Sequence, residues 1–503
     1  MNATIKIIGS GFSSLAAAAY LACEGNDVTV YEKNDTLGGR ARQLKKDGFT
    51  FDMGPTWYWM PDVFERFFED FGKKPRDYYQ LKKLSPAYSV YFGKEDYITI
   101  ADNLEDIYRV FEENEPGSST ELKNFISEAK SNYDIAIKDL VYRPGLSPLE
   151  LVTPQTIAKL GQFFGNISKD IRKKFKNKRL VQILEFPVLF LGAKPSDTPS
   201  FYSFMNYADF GLGTWYPKNG MYSVVEGMVE LAKEQGVKFV TNASVSKIGV
   251  SETGCAEYIT VNGEKLYADI ILSGADYHHT ETLLDKRFRQ YNEDYWQKKV
   301  FAPSSLLFYV GFDKPVENVE HHTLFFDSDF DTHAIDIYDN PKWPDEPLFY
   351  ASFSGKTDTD AMPVGKEAGT FLIPLAPGIE DTPELREKYF EKIITRLENL
   401  TQQSLRDSIL FKESFCVNDF VKDYNSYKGN AYGLANTLMQ TAFLRPGLKS
   451  KKVKNLFFTG QLTVPGPGVP PALISGKLVA GLIEKQLDKE PKKSLTKHYE
   501  INI

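Results

Sequence analysis

The chain has 503 residues, 42% of them hydrophobic, and a net charge of −7, so it exceeds one core and predicts two or three domains. The mild acidity offers no field for nucleic acid, and three scattered cysteines without a C-x-x-C pair exclude a disulfide framework and a zinc site. The adjacent pairs His278-His279 and His321-His322 lack metal-site spacing, and no run of about twenty apolar residues predicts a membrane-spanning helix.

Thr4 to Lys33 reads as strand, turn, helix and strand. Ile5, Ile7 and Ile8 form a short β-branched run typical of a buried parallel strand. Gly9 and Gly11 give a turn with bare backbone, and the alanine-rich helix from Ser13 to Cys23 turns its N-terminus towards that turn, where a pyrophosphate would be held. Val28 to Tyr31 restores the strand, and Glu32 stands at the distance where a dinucleotide fold places an acid on a ribose. The third glycine of the fingerprint is replaced by Ser14. The apolar opening lacks the basic start of a secretory signal and is read as structure.

Downstream, Gly38-Gly39-Arg40-Ala41-Arg42 pairs bare backbone with cations suited to phosphate, ahead of Asp52-Met53-Gly54-Pro55. Residues 61–140 mix helical periodicity with short strands at Tyr88 to Phe92 and Tyr97 to Ile100. Between 156 and 180, Leu160, Phe163, Phe164, Ile167, Ile171 and Phe175 recur at helical spacing among lysines and arginines, which predicts either an interfacial membrane helix or an amphipathic helix packed on its own domain. Ile183 to Leu191, apolar apart from Glu185 and broken by Pro187, reads as deep core or a cavity lining.

Residues 220–276 return to helix and strand, with a hairpin turning at Asn262-Gly263. Strands dominate 286–449, apart from one helix near Glu384 to Leu400. Finally, the buried strand Asn455 to Gly460 runs into a glycine- and proline-rich turn and the helix Ala472 to Leu487, whose start offers backbone N–H groups to an anion. Glycine-rich strand-to-helix transitions at the start, middle and end imply one discontinuous dinucleotide domain interleaved with a second. The expected partition is 1–75, 220–285 and 450–490 for the first and 76–219 and 286–449 for the second. Within it, 156–200 is a membrane-associating region and 491–503 a polar tail.

Gly9-Ser10-Gly11, Glu32, Gly38-Gly39-Arg40, Asp52-x-Gly54-Pro55, Asn455-x-Phe457-Phe458-x-Gly460, Pro465-Gly466-x-Gly468-Val469 and Ser475 together resemble the bacterial carotenoid desaturases of the phytoene desaturase type. That family lies in the flavoprotein superfamily that includes amine oxidases and GDP-dissociation inhibitors. Gln461-Leu462, Val464 and Pro467 depart from its C-terminal signature. The resemblance implies an α/β fold, with a discontinuous Rossmann-like FAD-binding domain of the amine oxidase/GDP-dissociation-inhibitor type. A mixed α+β substrate domain and a helical membrane-facing part would complete it.

It further implies FAD as cofactor, with Gly9, Gly11 and Ser14 along the pyrophosphate, Glu32 on the adenosine ribose, and Gly39 and Arg40 at the phosphates. Val245 would pair with adenine through its backbone. Gly460, Gly468, Val469 and Pro470 would lie beside the isoalloxazine, with Gly54 and Pro55 as further contacts, and Gly429 to Pro446 would lie near flavin and substrate.

The implied reaction is hydride transfer from an allylic C–H of a carotenoid to the flavin, with loss of a proton from the neighbouring carbon. Asp134, Asp139 and Arg143 are the candidates for a catalytic role, and no metal is expected. The substrate would be acyclic, such as phytoene, or a hydroxycarotenoid desaturated at the 3,4 bond. A carotenoid isomerase or oxygenase, an amine oxidase-like enzyme and a non-enzymatic lipid-binding escort are the alternatives. A lipid-soluble substrate places the protein in the cytoplasm, peripherally on the inner face of the membrane; the electron acceptor, oxygen or quinone, is left open.

Overall fold

The computed structural model describes residues 2–189 and 192–489. The polar tail at 491–503 lies outside the described residues, as do Phe190 and Leu191 at the end of the apolar run.

Five parallel strands line up in the order Leu456–Phe458, Ile270–Ser273, Thr4–Ile8, Asp27–Tyr31 and Lys238–Val240. Ile7 stands between Leu272 and Val30 in register, and all three are fully buried. Ile270–Ser273 and Leu456–Phe458 are buried along their whole length, as parallel strands covered on both faces are, whereas the edge strand Lys238–Val240 is largely exposed. One face carries the helix Phe12–Cys23, whose Ala16, Ala17, Ala18 and Ala19 are fully buried. The alanines admit the C-terminal helix Val469–Leu487 so closely that a Cβ on Gly476 would sit 2.9 Å from the Ala17 amide nitrogen. A three-stranded antiparallel sheet, Val245–Val250, Ala256–Val261 and Glu264–Tyr267, contributes to the core beneath the other face, and its hairpin turns at Asn262 and Gly263, with φ of 49° and 87°.

A second sheet has seven strands in the order Ile409–Phe415, Ser304–Phe312, Glu367–Leu375, Phe349–Phe353, His322–Phe325, Tyr88–Gly93 and Asp96–Ile100. Every pair is antiparallel except His322–Phe325 with Tyr88–Gly93. Alternation along each strand splits its residues between two faces. Phe308 packs on Phe390 of the helix Pro383–Thr401, with ring centroids 5.1 Å apart. Its neighbour Leu307 points the other way, in a cross-strand row with Leu372, Tyr350 and Leu324 that walls the central cavity.

The helical part differs from the single basic helix expected across 156–180. Four segments replace it: Pro154–Ala158, Leu160–Phe164, Ile167–Lys174 and Lys178–Leu189. The chain breaks where Asn166 accepts the Lys169 N–H at 2.9 Å and where Asn177 accepts the Arg179 N–H at 3.0 Å, side-chain caps that compete with helix continuation.

Ile167, Ile171 and Phe175 are buried, and Phe175 meets Phe111 and Phe125 edge-on. Arg172 is engaged by Glu185 and Asp331, Lys178 by Asp329, and Arg179 by Asp96. The second half of the basic stretch therefore packs its apolar stripe on its own domain. Within the apolar run that follows, Ile183 and Leu184 are core, whereas Phe186 and Leu189 line the cavity. No helix among the described residues is long and apolar enough to cross a membrane.

Candidate active site

The strand Thr4–Ile8 delivers the chain to Gly9, at φ +86°, where a Cβ would press on the Ala275 amide nitrogen at 3.3 Å. Gly11 then opens the helix Phe12–Cys23, and a Cβ on Gly11 would enter open space. No side chain caps this helix, and its first intrahelical bond is donated by Leu15 to the Gly11 carbonyl at 3.0 Å. The preceding N–H groups are left for a ligand, and the positive end of the helix dipole favours an anion there. Ser13 lines the cavity and Ser14 does not. Ser14 is fully buried, and a Cβ on Gly274 would collide with its hydroxyl. The close helix–strand packing that the fingerprint's third glycine permits is achieved here by the glycine on the strand side.

Glu32 is buried and lines the same cavity. Its carboxylate accepts the Ser10 N–H at 3.0 Å, the Ser10 hydroxyl at 2.7 Å and the Asn34 N–H at 2.9 Å. Ser10 also accepts the Gly38 N–H at 3.2 Å, so one serine fixes both the acid's rotamer and the Gly38-Gly39 turn. Sequence reasoning passed over Ser10, which occupies the free position of Gly-x-Gly.

Arg40 lines the cavity from that turn, with its guanidinium 5.1 Å from the Tyr424 ring centroid. It donates to the Ser426 hydroxyl at 3.0 Å and the Asn430 carbonyl at 3.3 Å, while its Nε is buried without a partner. Burial lowers its pKa, opposed by the charge of Asp276. Arg42, by contrast, pairs with Asp423 at 2.6 Å. Among the described residues Arg40 makes no ion pair, so a half-buried cation with a free N–H stands beside an uncapped helix start. Those groups fit the phosphates of a dinucleotide.

Gly54 and Pro55 line the cavity where Gly54 abuts the Arg40 carbonyl, and Val245 lines it from the start of its strand. Gly460, Gly468, Val469 and Pro470 line its opposite wall. Ser475 holds that wall by accepting the Gly460 N–H at 3.1 Å and bonding the Thr459 and Thr463 hydroxyls, each at 3.0 Å. The helix beginning at Val469 presents fewer N–H groups than expected. Pro470 and Pro471 carry none, and the Ala472 N–H is used by the Gly468 carbonyl, which leaves Val469. Buried Arg445 ties this loop down by donating to the Gln461 carbonyl at 3.2 Å and the Leu434 carbonyl at 2.9 Å.

From this cradle one continuous cavity of about 1180 Å³ runs along the seven-stranded sheet to Phe186, Phe326 and Leu348 and reaches Leu151, Ile157, Phe164 and Met439. Its rim is apolar and exposed: Phe164 is 74% exposed, Met439 70%, Val152 59% and Ile157 55%. Arg143 lines the cavity near that rim and is held by Asp139 and the Glu150 carbonyl. Asp139 is an exposed carboxylate outside the lining. Asp134 also lies outside it, on an exposed helix face between Lys130 at 3.0 Å and Lys138 at 2.9 Å, whose hydrogen bonds hold its pKa low. Neither aspartate is placed to take a proton inside the cavity.

Residues 12–483 match the family of flavin containing amine oxidoreductases. A carotenoid 3,4-desaturase of Haloarcula japonica is 43% identical over 485 residues, covering 95% of this chain and 98% of that protein. A 4,4'-diapophytoene desaturase (4,4'-diaponeurosporene-forming) of Staphylococcus haemolyticus is 32% identical over 491 residues, covering 95% of this chain and 97% of its own. The crystal structure of an oxidoreductase from Methanosarcina mazei shares the fold with a TM-score of 0.63 at 16% identity, covering 96% of this chain and 100% of that one. The parallel sheet, the phosphate cradle and the match over nearly the whole length agree: the chain belongs to the flavin containing amine oxidoreductase family and is an FAD-dependent oxidoreductase.

Proposed function

We propose that the chain is a carotenoid desaturase that forms a C=C bond in an acyclic polyene, with the 3,4 bond as the favoured position. The observation that carries this reading is the continuity between the dinucleotide cradle and a long apolar cavity that ends in an exposed apolar rim. The 43% identity to a protein named for 3,4-desaturation, against 32% to one named for diapophytoene, favours that bond. In this reading 1–75, 220–285 and 450–490 bind the cofactor, and 76–219 and 286–449 enclose the substrate.

Bound FAD supplies the hydride acceptor. The chain's own part is to align a rigid hydrocarbon, exclude water and tolerate a developing positive charge. Trp57 lines the cavity and stacks on His322 with ring centroids 4.0 Å apart. Burial holds His322 far below the usual histidine pKa, so it stays neutral and adds no cation beside an electron-deficient polyene.

The substrate dissolves in lipid, and the rim of Val152, Ile157, Phe164 and Met439 is the surface proposed to enter the membrane, on its inner face. An exposed apolar patch of this kind marks an interaction site. Expression in hosts that accumulate either phytoene or a more unsaturated acyclic carotene tests the reaction. A product with a longer chromophore, resolved by chromatography, is expected, and unchanged pigments in both hosts would overturn the proposal.

A further inference from the structure

Arg445 is 4% exposed and is the only buried lysine or arginine among the described residues. Its partners there are uncharged: the Gln461 carbonyl at 3.2 Å, the Leu434 carbonyl at 2.9 Å and the side-chain oxygen of Asn436. Its Nε, also buried, has no hydrogen-bond partner. Burial lowers its pKa to about 10, so it keeps its charge at neutral pH. Arg42, Arg386 and Arg396 are more exposed, yet each meets a carboxylate. A cation taken out of water is normally paired with an anion; Arg445 is paired only with dipoles.

The guanidinium stands directly behind the loop that runs from Gly460 to Pro470. A Cβ on Gly466, at φ +137°, would lie 3.2 Å from its Nη2 and 3.3 Å from its Cζ, so glycine lets the loop sit this close. Pro465 and Pro467 on either side line the cavity, as do Gln461 and Asn436, whereas Arg445 itself does not. Its charge is nevertheless felt there. Burial raises the pKa of Tyr202, a phenol in the lining, and Arg445 opposes that rise. Burial lowers the pKa of Lys299, and Arg445 adds to the fall. The other source of positive potential on this wall is weak, because the helix Val469–Leu487 keeps a single N–H, that of Val469, for a ligand.

We propose that Arg445 tunes the cofactor through space: its uncompensated charge stabilises the negative charge gained by FAD on reduction and so raises the midpoint potential. The inference goes beyond the desaturase reading and needs only FAD with its ring against the wall from Gly460 to Pro470. Hydride transfer carries two electrons and one proton from a substrate carbon, which is oxidised, to the ring, which is reduced and gains one negative charge. A proton leaves the neighbouring substrate carbon for solvent. A fixed cation inside a low-dielectric wall acts on that new charge with little screening and no reorganisation. Charge near the ring nitrogens is one of the means by which a protein sets a flavin's electronics, and an unactivated C–H bond is a poor hydride donor that calls for a strong acceptor.

The test is the midpoint potential of the FAD-loaded protein, read by anaerobic reduction against a reference dye, with flavin content and Tm recorded for every variant. The wild-type potential should lie above that of free FAD in the same buffer. Arg445→Met should lower the ratio of reduced to oxidised flavin at a fixed potential at least about tenfold, a shift of about 30 mV for a two-electron couple. Asn436→Asp keeps the hydrogen bond and sets a carboxylate against the guanidinium, so it should lower the potential likewise while leaving the packing in place. Arg445→Lys should retain most of the wild-type value. A brace for the loop and nothing more would cost Tm and FAD content in Arg445→Met, while the flavin still bound kept the wild-type potential and Asn436→Asp did not move it. That pattern, or a wild-type potential no higher than that of free FAD, would overturn the proposal. Potentials as predicted in a protein whose flavin no polyene reduces would instead overturn the desaturase reading alone.

Discussion

At one end of the cavity the walls are largely backbone: Gly9, Gly11, Gly39 and the uncapped start of the Phe12–Cys23 helix, with Glu32 and Arg40 as the charged groups. At the other end they are side chains, brought together from Leu151 to Phe164 and from Leu438 to Phe443, segments far apart in the chain. A backbone cradle needs glycines at fixed places, so it is written as a local motif. An apolar rim needs only bulk and exposure, which any scattered set of Leu, Phe and Met can supply once the fold collects them.

Glu32→Ala should break the polar end most severely. It removes the acceptor for the Ser10 and Asn34 N–H groups and for the Ser10 hydroxyl, a loss of about 1–3 kcal/mol for each buried donor left without a partner. The variant should purify without FAD and with a lowered Tm; full flavin content would refute the role.

The rim comes next. Met439→Asp combined with Phe164→Asp should cut sedimentation with anionic vesicles by about a hundredfold, since each buried apolar side chain is worth roughly 1.5–3 kcal/mol. Exchanging Lys173, Lys174 and Lys176 for Gln should change it far less. The opposite ranking would return the membrane contact to the basic helix.

A smaller effect is expected for Arg40→Lys, which keeps the charge and loses the planar fork. FAD binding should weaken by about tenfold, some 1.4 kcal/mol, in a titration followed by flavin fluorescence. An unchanged Kd would mean that Arg40 serves only Ser426 and Asn430.

The smallest prediction concerns neither end but the helical half that joins them. Asp209 is buried in the turn Tyr207–Gly211, accepts the Tyr88 hydroxyl at 2.7 Å, and is pushed up to about 8, chiefly by desolvation. A carboxyl raised above its unfolded value contributes stability that is complete below about pH 4 and is lost as pH rises towards 8. Relative to Asp209→Asn, the wild-type Tm should therefore fall across that window. A difference that stays flat with pH would contradict the assignment.

This contrast also explains how much could be read beforehand. The opening strand, turn, helix and strand, the Asn262-Gly263 hairpin and the C-terminal strand and helix follow from short-range rules, and they appear where those rules put them. Ser10 escaped because its work is done by contacts to residues 32 and 38, which no spacing within Gly-x-Gly encodes. The partners of Arg40 at Ser426 and Asn430 are equally remote in sequence. Periodicity found the amphipathic stripe at 167–175 but could not say what covers it; Phe111 and Phe125 do.

The most direct test of the central claim is anaerobic mixing of the FAD-loaded protein with an acyclic polyene in liposomes, with flavin and polyene absorbance recorded together. The account predicts that the flavin bleaches in step with a red shift of the polyene, one new double bond for each flavin reduced. Flavin that remains oxidised with every polyene but bleaches with a primary amine would contradict it.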